Sequence, residues 1–189
     1  MRYTAAGGIS FALPHNLMIL MTDELIARLK RIKLLATDVD GVLTDSGMYY
    51  AENGDEMKKF NTRDGMGMVL IRDFGIKVAI ITREDTRIVE RRAMRLKITD
   101  LFQGARDKVV AMETLMKRHG LQWEEVAFIG DDVNDLELLK RVGFAAAPAD
   151  AAPQNKKIAH YITEKKGGEG CVREICDMLL DVHNASIVP

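Results

Sequence analysis

Residues 32–41 read Ile32-Lys33-Leu34-Leu35-Ala36-Thr37-Asp38-Val39-Asp40-Gly41, a short apolar run that stops on two aspartates and a glycine. A run of this length without polar alternation suits a central strand of a parallel sheet, buried on both faces. Two further runs share the form: Val78 to Ile81 ends at Thr82, and Val126 to Ile129 ends at Gly130-Asp131-Asp132. Phe144 to Ala147 supplies another strand. Helical periodicity fills the spaces between them. A short helix begins at Thr22-Asp23-Glu24, with Leu25, Ile26 and Leu29 as its apolar face. Asp64 to Phe74 is predicted as a helix with Met66, Val69, Leu70 and Phe74 on one face and Gly75 as its stop. Asp85 to Leu96 follows through Ile88, Val89, Ala93 and Leu96. A third helix runs from about Lys108 to His119, and a fourth from Asp135 to Val142, closed by Gly143. Met48-Tyr49-Tyr50 and Met57 to Phe60, around Asn53-Gly54, predict a projecting β-hairpin. The alternation predicts an α/β fold: a doubly wound, Rossmann-like parallel sheet with helices on both faces. Ligands then bind at the carboxyl ends of the strands.

The chain has 189 residues, 47% of them hydrophobic and 29% charged, enough for one domain with a real core. A net charge of −1 gives no basic field for nucleic acid or anionic lipid, although a local cationic pocket is compatible with it. The two cysteines, Cys171 and Cys176, form neither a CxxC pair nor a disulfide framework, and read as small buried residues on a helix. No apolar run approaches the ~18 residues of a membrane span. The first twenty residues are interrupted by Pro14-His15-Asn16 and lack a small-residue cleavage site, which argues against a signal peptide. The expected organisation is a loosely ordered extension over 1–21, one domain over 22–182 and a tail over 183–189, in a cytoplasmic protein.

The chemistry gathers at the predicted sheet edge: Asp38 and Asp40 after the first strand, Thr82 after the second, Lys108 at a helix start, and Asp131-Asp132 after the third. Taken singly, each has a plain structural role, such as a helix cap or a solvated charge. Together they fit phosphoryl transfer. Several carboxylates converging on one spot repel one another and need a cation, and oxygen-only ligands suit magnesium. One carboxylate can attack phosphorus once the charges are screened. A second, two residues on, can protonate the leaving alkoxide and later deprotonate water. A hydroxyl and an ammonium then hold the phosphoryl oxygens.

Asp38-Val39-Asp40-Gly41-Val42-Leu43-Thr44-Asp45, Thr82, Lys108 and Gly130-Asp131-Asp132-Val133-Asn134-Asp135 resemble the four motifs of the haloacid dehalogenase superfamily of phosphatases. By that resemblance Asp38 is the nucleophile, Asp40 the general acid and base, and Thr82 and Lys108 the grip on the phosphoryl group. Magnesium is assigned to Asp38, the backbone carbonyl of Asp40, and Asp131, with Asp132 beside them. Asp132 and Asp135 orient metal-bound water or Lys108; Asp135 equally suits a helix start, placed for the helix dipole.

Most members carry a cap inserted between these motifs. Here 42 positions separate Asp40 from Thr82, filled by the hairpin and a helix, and 26 separate Thr82 from Lys108, filled by one helix. There is no room for a cap. Phe60-Asn61-Thr62-Arg63-Asp64-Gly65, Leu101-Phe102-Gln103-Gly104 and Gly167-Gly168-Glu169-Gly170 with Arg173-Glu174 resemble the capless group that dephosphorylates 2-keto-3-deoxy sugar-acid phosphates. Its substrates are 3-deoxy-D-manno-octulosonate 8-phosphate (KDO 8-phosphate), of lipopolysaccharide synthesis, and, in a sister branch, KDN 9-phosphate and N-acylneuraminate 9-phosphate. The resemblance implies a homotetramer in which hairpins and C-terminal tails complete neighbouring sites. Met48, Tyr49 and Tyr50 on an exposed hairpin agree with burial between subunits.

Substrate contacts are expected from Asn61, Thr62, Arg63, Asp64 and Gly65 at a helix start, where N–H groups meet anions, and from Glu84, Arg92 and Arg173. Alternatives stand beside them. Arg63 also reads as a surface charge paired with Asp64, Arg92 as part of a solvated face, and Arg173 as a partner of Glu174 or Asp177. Thr82-Arg83-Glu84 departs from the Thr-Gly-Arg of the octulosonate enzymes and leans to the nine-carbon branch. Glu84 then needs sugar hydroxyls or a cation such as Arg95 or Arg63. Two rival classes are weaker. A receiver domain keeps its acidic pair and its phosphorylated aspartate on different strands, and a silent interaction module predicts lost motif residues, of which there are none.

Overall fold

Leu34–Thr37 forms strand β1, and every one of its side chains is buried. The reason lies in its two parallel neighbours. Residues 77–81 (β4) pair with it on one side, Leu34 opposite Lys77, and residues 126–129 (β6) on the other, Leu34 opposite Val126. In this computed structural model residues 21–54 and 56–184 are described. Six parallel strands lie in the order β5-β4-β1-β6-β7-β8, where β5 is Asp100–Phe102, β7 Phe144–Ala147 and β8 Tyr161–Ile162.

The pleat splits the apolar residues into two cores. Leu35, Val78, Ile80, Ala127, Ile129 and Phe144 point to one face, where α1 (Asp23–Leu29), α2 (Thr62–Phe74), α3 (Arg87–Leu96) and α7 (Cys171–Asn184) cover them. Leu34, Ala36, Ala79, Ile81 and Phe128 point to the other, under α4 (Lys108–His119) and α5 (Leu136–Leu139). A side-chain period of two along each strand produces the two layers. A short helix α6 (Pro153–Ile158) precedes β8.

The hairpin is there: Tyr49–Tyr50 (β2) pairs antiparallel with Glu56–Met57 (β3), apart from the main sheet. Asp45 ties its stem, accepting from Tyr49 Oη at 3.0 Å and from Lys59 Nζ at 2.9 Å.

Several expectations need correction. The buried face of α2 is Asp64, Gly65, Gly67, Met68 and Ile71, whereas Met66 is 53% exposed and Phe74 37%. The cause is close packing on α7: a Cβ on Gly67 would lie 3.2 Å from the Cα of Arg173. Between Thr82 and Lys108 stands a strand, β5, as well as a helix. The segment after Asp131 is a single 3₁₀ turn, Val133–Asp135, before the four residues of α5. Met21 packs against the core, and α7 runs on through Asn184, past the expected boundary at 182. Both cysteines are buried and free on that helix. The expected N-terminal extension falls, up to residue 20, outside the described residues, as do residues 185–189. Among the described residues no helix is long and apolar enough to cross a membrane.

Candidate active site

Asp38 follows β1 directly, and its N–H still bonds the Ile129 carbonyl at 3.0 Å, so the sheet itself places the side chain. Its Oδ1 accepts from the Val39 N–H at 2.7 Å, and its Oδ2 meets Lys108 Nζ at 2.6 Å. Lys108 is the first residue of α4. The preceding Asp107 caps that helix by accepting from the N–H groups of Val109 and Val110. The same ammonium donates to Asp135 Oδ1 at 2.6 Å, and the side chains of Asp38, Lys108 and Asp135 are 7%, 1% and 0% exposed. Asp135 Oδ2 in turn accepts from the N–H of Asp131 at 3.0 Å, folding the loop after β6 back on itself.

Asp131 completes the cluster: one carboxylate oxygen each from Asp38, Asp131 and Asp135 lie within 4.8 Å of one another. Glycine permits the approach. Gly41 has φ +81°, and a Cβ there would fall 1.9 Å from Asp131 Oδ2.

One ammonium among three carboxylates leaves negative charge in a dry place. Burial, and then the charge of Asp135, push Asp38 up to about 7 against the pull of Lys108. Burial, then Asp38, Asp135 and Asp132, push Asp131 up to about 8. Asp135 is raised by burial, with Lys108 opposing. Burial alone would lower Lys108, but its two carboxylates outweigh it and hold the ammonium charged. Asp131 Oδ1 is buried without a hydrogen-bond partner. An orphaned carboxylate oxygen, all-oxygen donors and excess negative charge fit a hard divalent cation such as magnesium. Asp38, Asp131 and Asp135 are the side chains that could hold it.

Residues 76–175 match the family described as haloacid dehalogenase-like hydrolase. The chain is 45% identical over 160 residues to the 3-deoxy-D-manno-octulosonate 8-phosphate phosphatase KdsC of Yersinia pestis, covering 85% of this chain and 86% of that one. KdsC of Escherichia coli K12 is 43% identical, with 83% and 84% covered. A Moraxella catarrhalis phosphatase of the same name, solved with magnesium, phosphate and KDO, superposes with a TM-score of 0.84 at 38% identity, covering 88% of this chain and 98% of that one. The chain belongs to the haloacid dehalogenase-like hydrolases.

In this hydrolase the cleft beside the cluster is lined by Asp38, Asp40, Thr82, Glu84, Asp131 and Asn134. Thr82 is held there because its N–H bonds the Phe102 carbonyl at 2.9 Å, continuing β4 beside β5. Asp132 also borders the cleft, but its carboxylate caps the turn that follows, accepting from Val133 N–H at 2.7 Å. Asp135, where Asp132 was expected, joins Asp38 and Asp131 in the carboxylate cluster. Helix α5 begins only after Asp135, whose side chain bonds Lys108 rather than serving only a helix start.

The expected substrate residues separate into two places. Glu84 is in the cleft, bound neither to Arg95 nor to Arg63 but to Lys58, at 2.7 Å. Asn61, Thr62, Arg63, Asp64, Gly65, Arg92 and Arg173 are not among its lining residues and gather where α2, α3 and α7 meet. Asn61 caps α2 by accepting from the Arg63 N–H, and its amide donates to the Gly168 carbonyl at 3.2 Å. Thr62 and Arg63 are exposed. Asp64 is buried, accepts from the Arg173 N–H at 2.7 Å and from the N–H groups of Gly170 and Val172, and so caps α7 instead of pairing with Arg63. Arg92 is half-buried over the Phe60 ring and donates to the Asn61 carbonyl, with Gly65 leaving room for it. Arg173 pairs with Asp177 at 2.7 Å.

Lys58 escaped the sequence reading. It bridges Asp40 Oδ1 at 2.5 Å and Glu84 Oε2 at 2.7 Å. Next to Lys59, and without a spacing rule to mark it, it carried no signal beyond its charge.

Proposed function

We propose that this hydrolase is a magnesium-dependent phosphatase of KDO 8-phosphate, working through a phosphoryl group held on Asp38. The observation that carries the reading is the Asp38–Lys108–Asp135 chain beside an under-neutralised Asp131, with a second aspartate two residues after the first. The relatives named for that substrate supply its identity.

A carboxylate oxygen of Asp38 bonds to phosphorus as the ester P–O bond breaks, and Asp40 gives its proton to the leaving alkoxide. Water then attacks phosphorus, Asp40 takes its proton, and the Asp38–phosphorus bond breaks to release phosphate. Thr82 and Lys108 grip the phosphoryl oxygens. Magnesium, when bound, screens the carboxylates from the phosphoryl oxygens.

The cleft, about 250 Å³, lies below the ~300–1,000 Å³ of ordinary ligand pockets and suits the phosphoryl end of the substrate. The sugar end is then enclosed by neighbouring copies in a homotetramer. Met48, Tyr49, Tyr50 and Met57, between 42% and 64% exposed on the hairpin, support that assembly. A second reading, the nine-carbon acids, has Glu84 in its favour, since a carboxylate in the cleft can accept sugar hydroxyls.

Steady-state kinetics on KDO 8-phosphate, KDN 9-phosphate and N-acetylneuraminate 9-phosphate, side by side with magnesium, test the proposal. KDO 8-phosphate is expected to have the highest kcat/KM; failure to turn over any of the three overturns the reading. In Glu84→Arg the ratio of the two chain lengths should move about tenfold to a hundredfold if Glu84 reads the sugar.

A further inference from the structure

We propose that Lys58 is a positioning residue that aims Asp40 at the leaving group and at water, by joining the two loops that carry Asp40 and Glu84. The inference rests on the phosphatase reading above. The ammonium lies 2.5 Å from Asp40 Oδ1 and 2.7 Å from Glu84 Oε2. Its side chain is 2% exposed, whereas those of Asp40 and Glu84 are 29% and 41% exposed. The carboxylates therefore face the cleft with the cation sealed behind them. A substrate does not reach Lys58, so its effect passes through its partners.

The second contact to Asp40 falls on the same oxygen, from Thr44 Oγ1 at 3.4 Å. Asp40 Oδ2 has no hydrogen-bond partner among the described residues. One oxygen is held and the other is left to exchange a proton. The terminal torsion of an aspartate is broad and roughly two-fold, so an untethered carboxylate would swing out of line. A charge-assisted hydrogen bond to a buried ammonium removes that freedom. It also offsets two carboxylates that would otherwise face an anionic substrate together. Lys58 follows β3 immediately, so the stem of the hairpin is bolted to both loops.

The test separates the two half-reactions in the magnesium-loaded enzyme with p-nitrophenyl phosphate. Nitrophenolate leaves without needing a proton, so Asp40 matters little when Asp38 attacks. The second half-reaction needs Asp40 to take a proton from water whatever the substrate. In Lys58→Met, the first turnover should release about one nitrophenolate per site at close to the normal rate. Later turnover should slow roughly 10–100-fold, a partial loss of the ~10²–10⁴ that acid–base help supplies. With KDO 8-phosphate, kcat should fall at least as far while KM stays within about threefold. Later turnover within threefold of normal, or a first turnover that slows in step with it, overturns the inference. Should Lys58→Met fail to fold, Lys58→Arg keeps the charge, displaces the donors and should show the same split in smaller degree; a uniform fall there overturns it. Asp38→Asn serves as the control. If it still turns over, the phosphatase reading fails; if it is dead and the Lys58 variants show no split, only the role of Lys58 fails.

Discussion

Two polar regions of this molecule are buried in opposite ways. At the sheet edge, Asp38, Asp131 and Asp135 point at one another, with one ammonium to answer three carboxylates. At the junction of α2, α3 and α7, the carboxylate of Asp64 points at backbone N–H groups of α7 and is drawn to the guanidinium of Arg92. Both contain a buried oxygen without a hydrogen bond, Asp131 Oδ1 in one and Asp64 Oδ2 in the other, so orphaned atoms alone do not distinguish them. The company does. A carboxylate among N–H groups holds helices together; a carboxylate among carboxylates waits for a cation.

Replacing Asp38 by Asn keeps its shape and removes the attacking charge. We expect magnesium-dependent phosphate release to vanish while circular dichroism and the unfolding midpoint in urea stay near normal. Activity that survives would mean the sheet-edge cluster is structural after all.

Asp64→Ala attacks the other region. Losing the acceptor for the first N–H groups of α7 should cost about 1–3 kcal/mol of stability in urea unfolding. Turnover of p-nitrophenyl phosphate should hold within about twofold. A fall in turnover without a loss of stability would move the helix junction into the site and erase the contrast.

The smallest effect is the most diagnostic. Asp38 and Asp131 rise from 3.8 in the free carboxyl to about 7 and about 8 in the fold. Between those values the folded protein holds protons that the unfolded chain has released. Without magnesium, stability must therefore fall as pH rises through that window. Magnesium should raise the Tm by on the order of 5 °C near pH 8, and by less than half as much near pH 5. Equal shifts at the two pH values would place the cation elsewhere.

Much of this was legible from apolar runs. β1, β4, β6 and β7 were readable because strands buried on both faces leave unbroken hydrophobic stretches. α4 was readable between Lys108 at its start and Gly120 just past its end, whereas its cap, Asp107, showed only in the structure. β5 was not: three residues with Asp100 first carry no periodicity, and only pairing with β4 makes them a strand. The buried face of α2 was misread because contact with α3 selects Gly65, and contact with α7, more than 100 positions away, selects Gly67, over the larger Met66. The roles of Asp132 and Asp135 are set by one turn of 3₁₀ helix, and Lys58 matters only through the two loops it joins. Spacing along a chain records neither.

The position of β1 between β4 and β6 has a consequence for biosynthesis. The central strand gains one neighbour after Ile81 is made, but the other only after Ile129. For the time needed to add those 48 residues, a growing chain carries Leu34–Thr37 with one flank unpaired. The last carboxylates of the cluster arrive with Asp131 and Asp135, immediately after that flank closes. The central strand is therefore made early and completed late, and a product truncated before β6 would keep one flank of β1 unpaired and lack Asp131 and Asp135.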